Sequence, residues 1–149
     1  MSKPSSFASE TTRRKALFEA VHALYDARQA GDFEEYLSYL APDARMTVIG
    51  NPVLNPQSGL RVGRDSIDRY IRQVHDENVY LGHGIDHIIT EGDHVVVRWH
   101  MDLRLAQNGR EARFDALDYL RIRDNRIVEV TQFYDTGTMA LLKGRVRIA

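Results

Sequence analysis

The segment HVVVRWHMDLRL, His94 to Leu105, places Arg98, His100 and Asp102 two residues apart. A guanidinium, an imidazole that titrates near neutrality and a carboxylate are the pieces from which acid/base sites are built. Side chains alternate along a strand, so Arg98, His100 and Asp102 share one face with His94, Val96 and Arg104. Val95, Val97, Trp99, Met101 and Leu103 form the other. An ordinary antiparallel strand with one face in water has the same pattern, so the neighbouring strands must decide.

The next strand, within RFDALDYLRIR, puts Asp118 in a row with Ala116, Leu120 and Ile122. Burial raises a carboxyl pKa unless a cation answers it, and an isolated buried aspartate is costly, so a partner or a chemical role is expected. The last strand offers Val128, Val130, Gln132 and Tyr134 as a row that can join Asp118. Combined with the Arg98 face, these rows describe a cavity with Arg98, His100, Asp118, Gln132 and Tyr134 at its mouth. Val96, Ile122, Val128 and Val130 form its base, the usual make-up of a small-molecule site. A structural Arg98–Asp118 ion pair in a closed core fits the same residues. His83 and His87 would lie on one strand face about 13 Å apart, too far for the close pair that the same spacing makes on a helix, and no metal is expected.

The elements that must position these groups are legible along the chain. Residues 1–9 read as a loose polar arm, followed by a single domain over residues 10–149. Leu17, Phe18, Val21, Leu24, Tyr25 and Arg28 recur at helical spacing up to Gly31, and Phe33, Tyr36, Leu37 and Leu40 make a short second helix. ARMTVIG reads as a first strand. Asn51 to Gly63 holds two of the four prolines and two glycines and reads as an irregular loop, either lid or plain connector. A third helix carries Ile67, Tyr70, Ile71 and Val74. Four strands then follow, His83–Thr90, His94–Leu105, Ala112–Arg123 and Arg126–Asp135, joined by short turns in an antiparallel meander. Helices first and strands after them imply an α+β domain with helices over one sheet face.

Composition excludes several classes. A 149-residue chain can bury about two thirds of its unfolded surface in one core. With 43% hydrophobic residues, 28% charged residues and a formal charge of −1, it is an ordinary globular sequence with no general affinity for nucleic acid or anionic membrane. There is no cysteine, hence no thiolate nucleophile or disulfide frame. Neither a signal-peptide core nor a membrane-length apolar run is present, so a cytoplasmic protein is expected.

The succession of a helix, AGDFEEYLSYLAPDARMTV, a loop, a helix and a meander ending in DALDYLRIRDNRIVEVTQFYDT resembles the nuclear transport factor 2-like superfamily, specifically its SnoaL-like and ketosteroid-isomerase-related members. The resemblance runs from about Thr12 to Leu142. It implies a cone: a strongly curved antiparallel sheet wrapped around about three N-terminal helices, the cystatin-like α+β barrel, open at one end. Dimers are common in the family. With the Val95–Trp99–Leu103 row on the outer face, a homodimer through that face is expected, because exposed apolar patches mark interfaces.

What the resemblance implies for chemistry depends on the residues. In ketosteroid isomerase a base moves the proton while a tyrosine and a protonated aspartate bind the enolate oxygen. That aspartate matches Asp118, the base falls near Val48, and the helix-one tyrosine falls near Leu24, beside Tyr25. Limonene-epoxide-hydrolase relatives use an Arg-x-Asp pair and a second aspartate, where this chain has Arg98, His100 and Gln132. Scytalone-dehydratase relatives carry a pocket histidine near His83. SnoaL-type polyketide cyclases pair an aspartate with a histidine, the set nearest to Asp118 and His100. The expectation is a cofactor-independent isomerase, cyclase or dehydratase moving a proton on a hydrophobic carbonyl compound. Asp118 would be the acid/base, His100 its proton partner and Arg98 the anchor, with Tyr25, His83, Val96, Gln132 and Tyr134 around the ligand. The alternative is a non-catalytic ligand-binding or dimeric assembly module of the same fold.

Overall fold

The structure, a computed structural model, describes residues 6–149. Helix α1 (Ser6–Ala30) starts ahead of the expected position, and residues 1–5 of the expected arm lie outside the described residues. It stops where Gly31 takes a left-handed φ of 78° and Asp32 N–H donates to the Ala27 carbonyl at 2.9 Å. Helix α2 (Phe33–Ser38) is capped by the Asp32 carboxylate, which accepts from the Glu35 N–H at 3.1 Å. Strands β1 (Leu40–Val48) and β2 (Gly59–Val62) precede α3 (Arg64–Glu77), which buries Ile67, Tyr70 and Ile71. Strands β3 (Asn78–Glu91), β4 (His94–Leu105), β5 (Glu111–Arg123) and β6 (Arg126–Tyr134) follow, then α4 (Thr136–Leu142). Asp124 and Asn125, both at positive φ, form the two-residue turn between β5 and β6.

The six strands lie in the order β2-β1-β6-β5-β4-β3. All neighbours are antiparallel except β1 with β6, so the sheet is mixed rather than purely antiparallel. Two elements escape the sequence reading. Gly59–Val62 pairs with β1 although it sits in the proline-rich loop, and α4 follows the last strand, capped by Asp135 accepting from Thr138 N–H at 2.9 Å.

Register decides which rows meet the helices. Val97 of β4 stands opposite Asp118 of β5, and Asp118 opposite Gln132 of β6. Directly paired residues share a face. The Asp118 face therefore belongs to Val95, Val97, Trp99, Met101 and Leu103, all of them buried in the core. This corrects the expectation that the row lies outside and awaits a partner sheet. The outer face instead carries Val96, Arg98, His100 and Asp102, with Leu117 and Phe133 paired beside them and partly exposed.

Candidate active site

Asp118 is 2% exposed and lies under α1, where the Tyr25 hydroxyl donates a hydrogen bond to its Oδ2. Tyr25 is positioned by Trp99, whose ring meets it edge-on with centroids 5.0 Å apart. One turn further along α1, Arg28 is buried at 7% exposure, its Cζ 5.8 Å from the Tyr36 ring centroid of α2. Tyr70 of α3 and Tyr80 of β3 face the Arg28 guanidinium with Tyr36. Tyr134 of β6 meets Phe114 edge-on. Six elements thus bring one carboxyl, one guanidinium and a set of phenols together on the helix-covered face.

Burial pushes the Asp118 carboxyl above its ordinary value; Tyr25, Arg28, Gln132 and Trp99 pull it down without cancelling that effect. Gln132 and Trp99 point toward Asp118, yet Asp118 Oδ1 and Trp99 Nε1 have no hydrogen bond of good geometry among the described residues. Burial also raises the tyrosine hydroxyls Tyr25, Tyr36, Tyr70, Tyr80 and Tyr134, which stay neutral. Arg28 stays charged: burial opposes its charge, but Tyr36, Tyr80 and Tyr70, then Asp118, outweigh that.

The folded chain holds the Asp118 proton more tightly than the unfolded chain. Its stabilising contribution is therefore full below the ordinary carboxyl value of 3.8 and is lost as pH rises through the folded value. Denaturant unfolding from about pH 4 to about pH 8 should show wild type losing stability relative to Asp118→Asn, with ~1.4 kcal/mol for each tenfold difference in proton affinity. Parallel pH curves for the two proteins would refute a raised carboxyl pKa.

The expected site residues divide between the faces. Asp118, Tyr25, Gln132 and Tyr134 lie on the helix-covered side, and His83 reaches α1 there, its Nε2 2.9 Å from Asp26 Oδ1. Val96, Arg98 and His100 lie on the outer face, so they share no cavity with Asp118, and neither the Arg98–Asp118 ion pair nor a His100–Asp118 proton relay exists. His100 instead places Nδ1 2.9 Å from the Asp86 carboxylate, and that bond holds the Asp86 carboxyl below its usual range. Its ring lies over Gly84, where an added Cβ would come within 2.8 Å of Cε1. Gly84→Val should therefore displace the imidazole from Asp86, read as a return of the Asp86 carboxyl toward its ordinary value in an NMR titration. An unchanged Asp86 titration would show that the ring keeps its place. Among the described residues no group of three metal-ligating side chains occurs.

Arg28, Tyr36, Tyr70 and Trp99 were missed as site residues. The signal was present: Arg28 falls at i+3 from Tyr25, on the same side of α1. The proline-rich loop caps the same end of the sheet. Asn55 is buried and donates to Ser58 Oγ at 3.0 Å, Arg61 stacks 3.9 Å over Tyr70, and Gln57 donates to Glu77 at 2.9 Å. A separate cleft of about 850 Å³ opens at the other end, between the first turns of α1 and the hairpin turns. Arg13, Arg14, Leu17, Ile122 and Arg126 help to line it.

A mixed six-stranded sheet over three helices, with a polar cluster on its inner face, defines an α+β cone of the nuclear transport factor 2-like kind. The chain belongs to the SnoaL-like domain family, whose profile matches residues 21–130. Among solved structures it is similar to a nuclear transport factor 2-like protein of unknown function from Burkholderia pseudomallei, at 26% identity and a TM-score of 0.74, covering 84% of this chain and 95% of that one. It is also similar to TerC co-crystallised with polyporic acid, at 23% identity and a TM-score of 0.73, covering 84% and 95%. A third is a hypothetical protein with a ketosteroid isomerase-like fold from Catenulispora acidiphila, in complex with trimethylamine, at 16% identity and a TM-score of 0.67, covering 78% and 85%. No curated protein matches the chain. Among the described residues no helix is long and apolar enough to cross a membrane.

Proposed function

We propose that this protein is a small-molecule acid/base enzyme of the SnoaL-like type, an isomerase, cyclase or dehydratase that moves a proton on a hydrophobic carbonyl compound. The observation that carries the reading is Asp118: a buried carboxyl with a raised pKa, hydrogen-bonded by Tyr25 through Oδ2 and without a hydrogen bond of good geometry at Oδ1. Ionised, Oδ1 accepts a proton from a carbon next to the carbonyl; protonated, it returns that proton or hydrogen-bonds the enolate oxygen. Tyr25 orients the carboxyl, Gln132 and Trp99 shape the near wall, and Tyr134 and His83 border the ligand. No metal or organic cofactor is needed for this chemistry. We further propose a homodimer through the outer sheet face, centred on Leu117 and Phe133, 39% and 45% exposed.

The test is turnover of cyclic ketones and polyketide-like carbonyl compounds by wild type and Asp118→Asn. Loss of turnover with ligand binding kept supports the assignment. Equal turnover by both proteins removes Asp118 from the chemistry. A second reading, a ligand-binding module without chemistry, is favoured by the α1 cleft, whose volume and partly apolar lining suit a small molecule. In that case ligand would stabilise wild type and Asp118→Asn equally.

A further inference from the structure

The ion pairs among the described residues involve Arg72, Arg104, Arg121, Lys143 and three histidines, but not Arg28. Arg28 is nonetheless buried, enclosed by the phenols of Tyr36, Tyr70 and Tyr80, and Asp118 acts on it only beyond contact distance. A buried guanidinium without a contacting anion is an expensive arrangement, and such groups are normally paired. Two further buried polar atoms in the same cluster lack partners, Asp118 Oδ1 and Trp99 Nε1. One is an acceptor that can carry a proton and the other is a donor. Trp99 is directed at Asp118, so the demand for an anion that remains unmet in the cluster is that of Arg28.

We propose that the Asp118 site takes an organic anion, a carboxylate or an acidic enol or phenol on an aromatic or alicyclic frame, held by Arg28, and that its binding transfers one proton from solvent to Asp118. The inference rests on the reading of Asp118 as the centre of a small-molecule site and adds the charge of the ligand. Tyr25 and Arg28 act on Asp118 from α1, Tyr36 from α2, Tyr70 from α3, Trp99 from β4 and Gln132 from β6, while Tyr80 of β3 acts on Arg28. The phenols stay neutral, so the charges are Asp118, Arg28 and, behind Tyr70, the Arg61 guanidinium of β2. With Asp118 ionised, its charge balances that of Arg28. An arriving anion makes two acidic groups share one cation, and like charges at one site raise the proton affinity of one of them. Asp118, already poorly solvated, takes the proton; the ligand keeps its charge because the guanidinium fork binds it directly.

Two probes of nearly equal shape separate the ideas: 2-naphthoate, and the neutral 2-acetonaphthone. Calorimetric titrations at about pH 8 in phosphate and in Tris, whose ionisation heats differ, report both affinity and protons exchanged. Wild type should bind naphthoate roughly tenfold or more tightly than the ketone, with uptake of about one proton. Arg28→Met should lose that preference, and Asp118→Asn should bind naphthoate without buffer-dependent heat. If Arg28→Met does not fold, Arg28→Lys decides: it keeps the charge without the fork and should bind naphthoate more weakly with proton uptake retained, whereas unchanged affinity overturns the role of Arg28. Tighter binding of the ketone overturns the anion and leaves the small-molecule site standing. Naphthoate binding without proton uptake, or with uptake retained in Asp118→Asn, overturns the coupling to Asp118. Binding of neither probe overturns both the anion and the site.

Discussion

Asp118→Asn is expected to lower kcat on a carbonyl substrate by about 10²- to 10⁴-fold, the range that a positioned general acid or base contributes. Asparagine keeps the volume of the side chain and an oxygen to accept from Tyr25, so the packing under α1 is preserved. What it loses is a proton that can be given or taken. KM should therefore change little while kcat and kcat/KM fall together, the signature of an interaction made only in the transition state. The pH profile adds an independent check. Wild type should show a limb set by the Asp118 titration, displaced above the ordinary carboxyl value by burial, and that limb should vanish in the variant. A kcat within about twofold of wild type, with the limb intact, would exclude Asp118 as the proton carrier.

Trp99→Ala should be the most damaging single truncation near the site, at ~3–5 kcal/mol. Trp99 is 1% exposed and sits in the middle of the row Val95, Val97, Trp99, Met101 and Leu103 beneath the helices. Removing the indole opens a cavity that the paired strands on either side hinder from collapsing. It also removes the edge that meets Tyr25, so the hydroxyl that orients Asp118 loses its support. Because Trp99 is the only tryptophan, the unfolding curve should be followed by far-UV circular dichroism rather than by indole fluorescence. A loss below about 1 kcal/mol would mean that the core refills the space.

Much of the architecture is legible from patterning. The helical recurrence of Leu17, Val21, Leu24 and Tyr25, and the alternation through HVVVRWHMDLRL, match α1 and β4, because burial on one side imposes those periods. Asp118 stands out for the same reason: a carboxyl among Ala116, Leu120 and Ile122 breaks a row that is otherwise apolar. Strand β2 and helix α4 were hidden. Gly59–Val62 is too short for a period of its own and is held as a strand by β1, while TGTMALL gains its start from the Asp135 cap.

The division of labour is sharpest at β4. By itself the sequence determines which residues alternate within a strand, which faces are apolar, that one acidic group is buried, and that a family-typical succession of helices and strands is present. It does not determine which row of one strand shares a face with which row of the next. That is set by inter-strand register, and a slip of one residue exchanges the two faces completely. Only the pairing of Val97 with Asp118, and of Asp118 with Gln132, sends Arg98 and His100 to the outer surface and brings Trp99 inward. Likewise, no local signal joins Tyr25 and Arg28 to residues 90 or more positions away. Their meeting with Asp118 follows from packing α1 across the sheet, a long-range contact that exists only once the chain has folded.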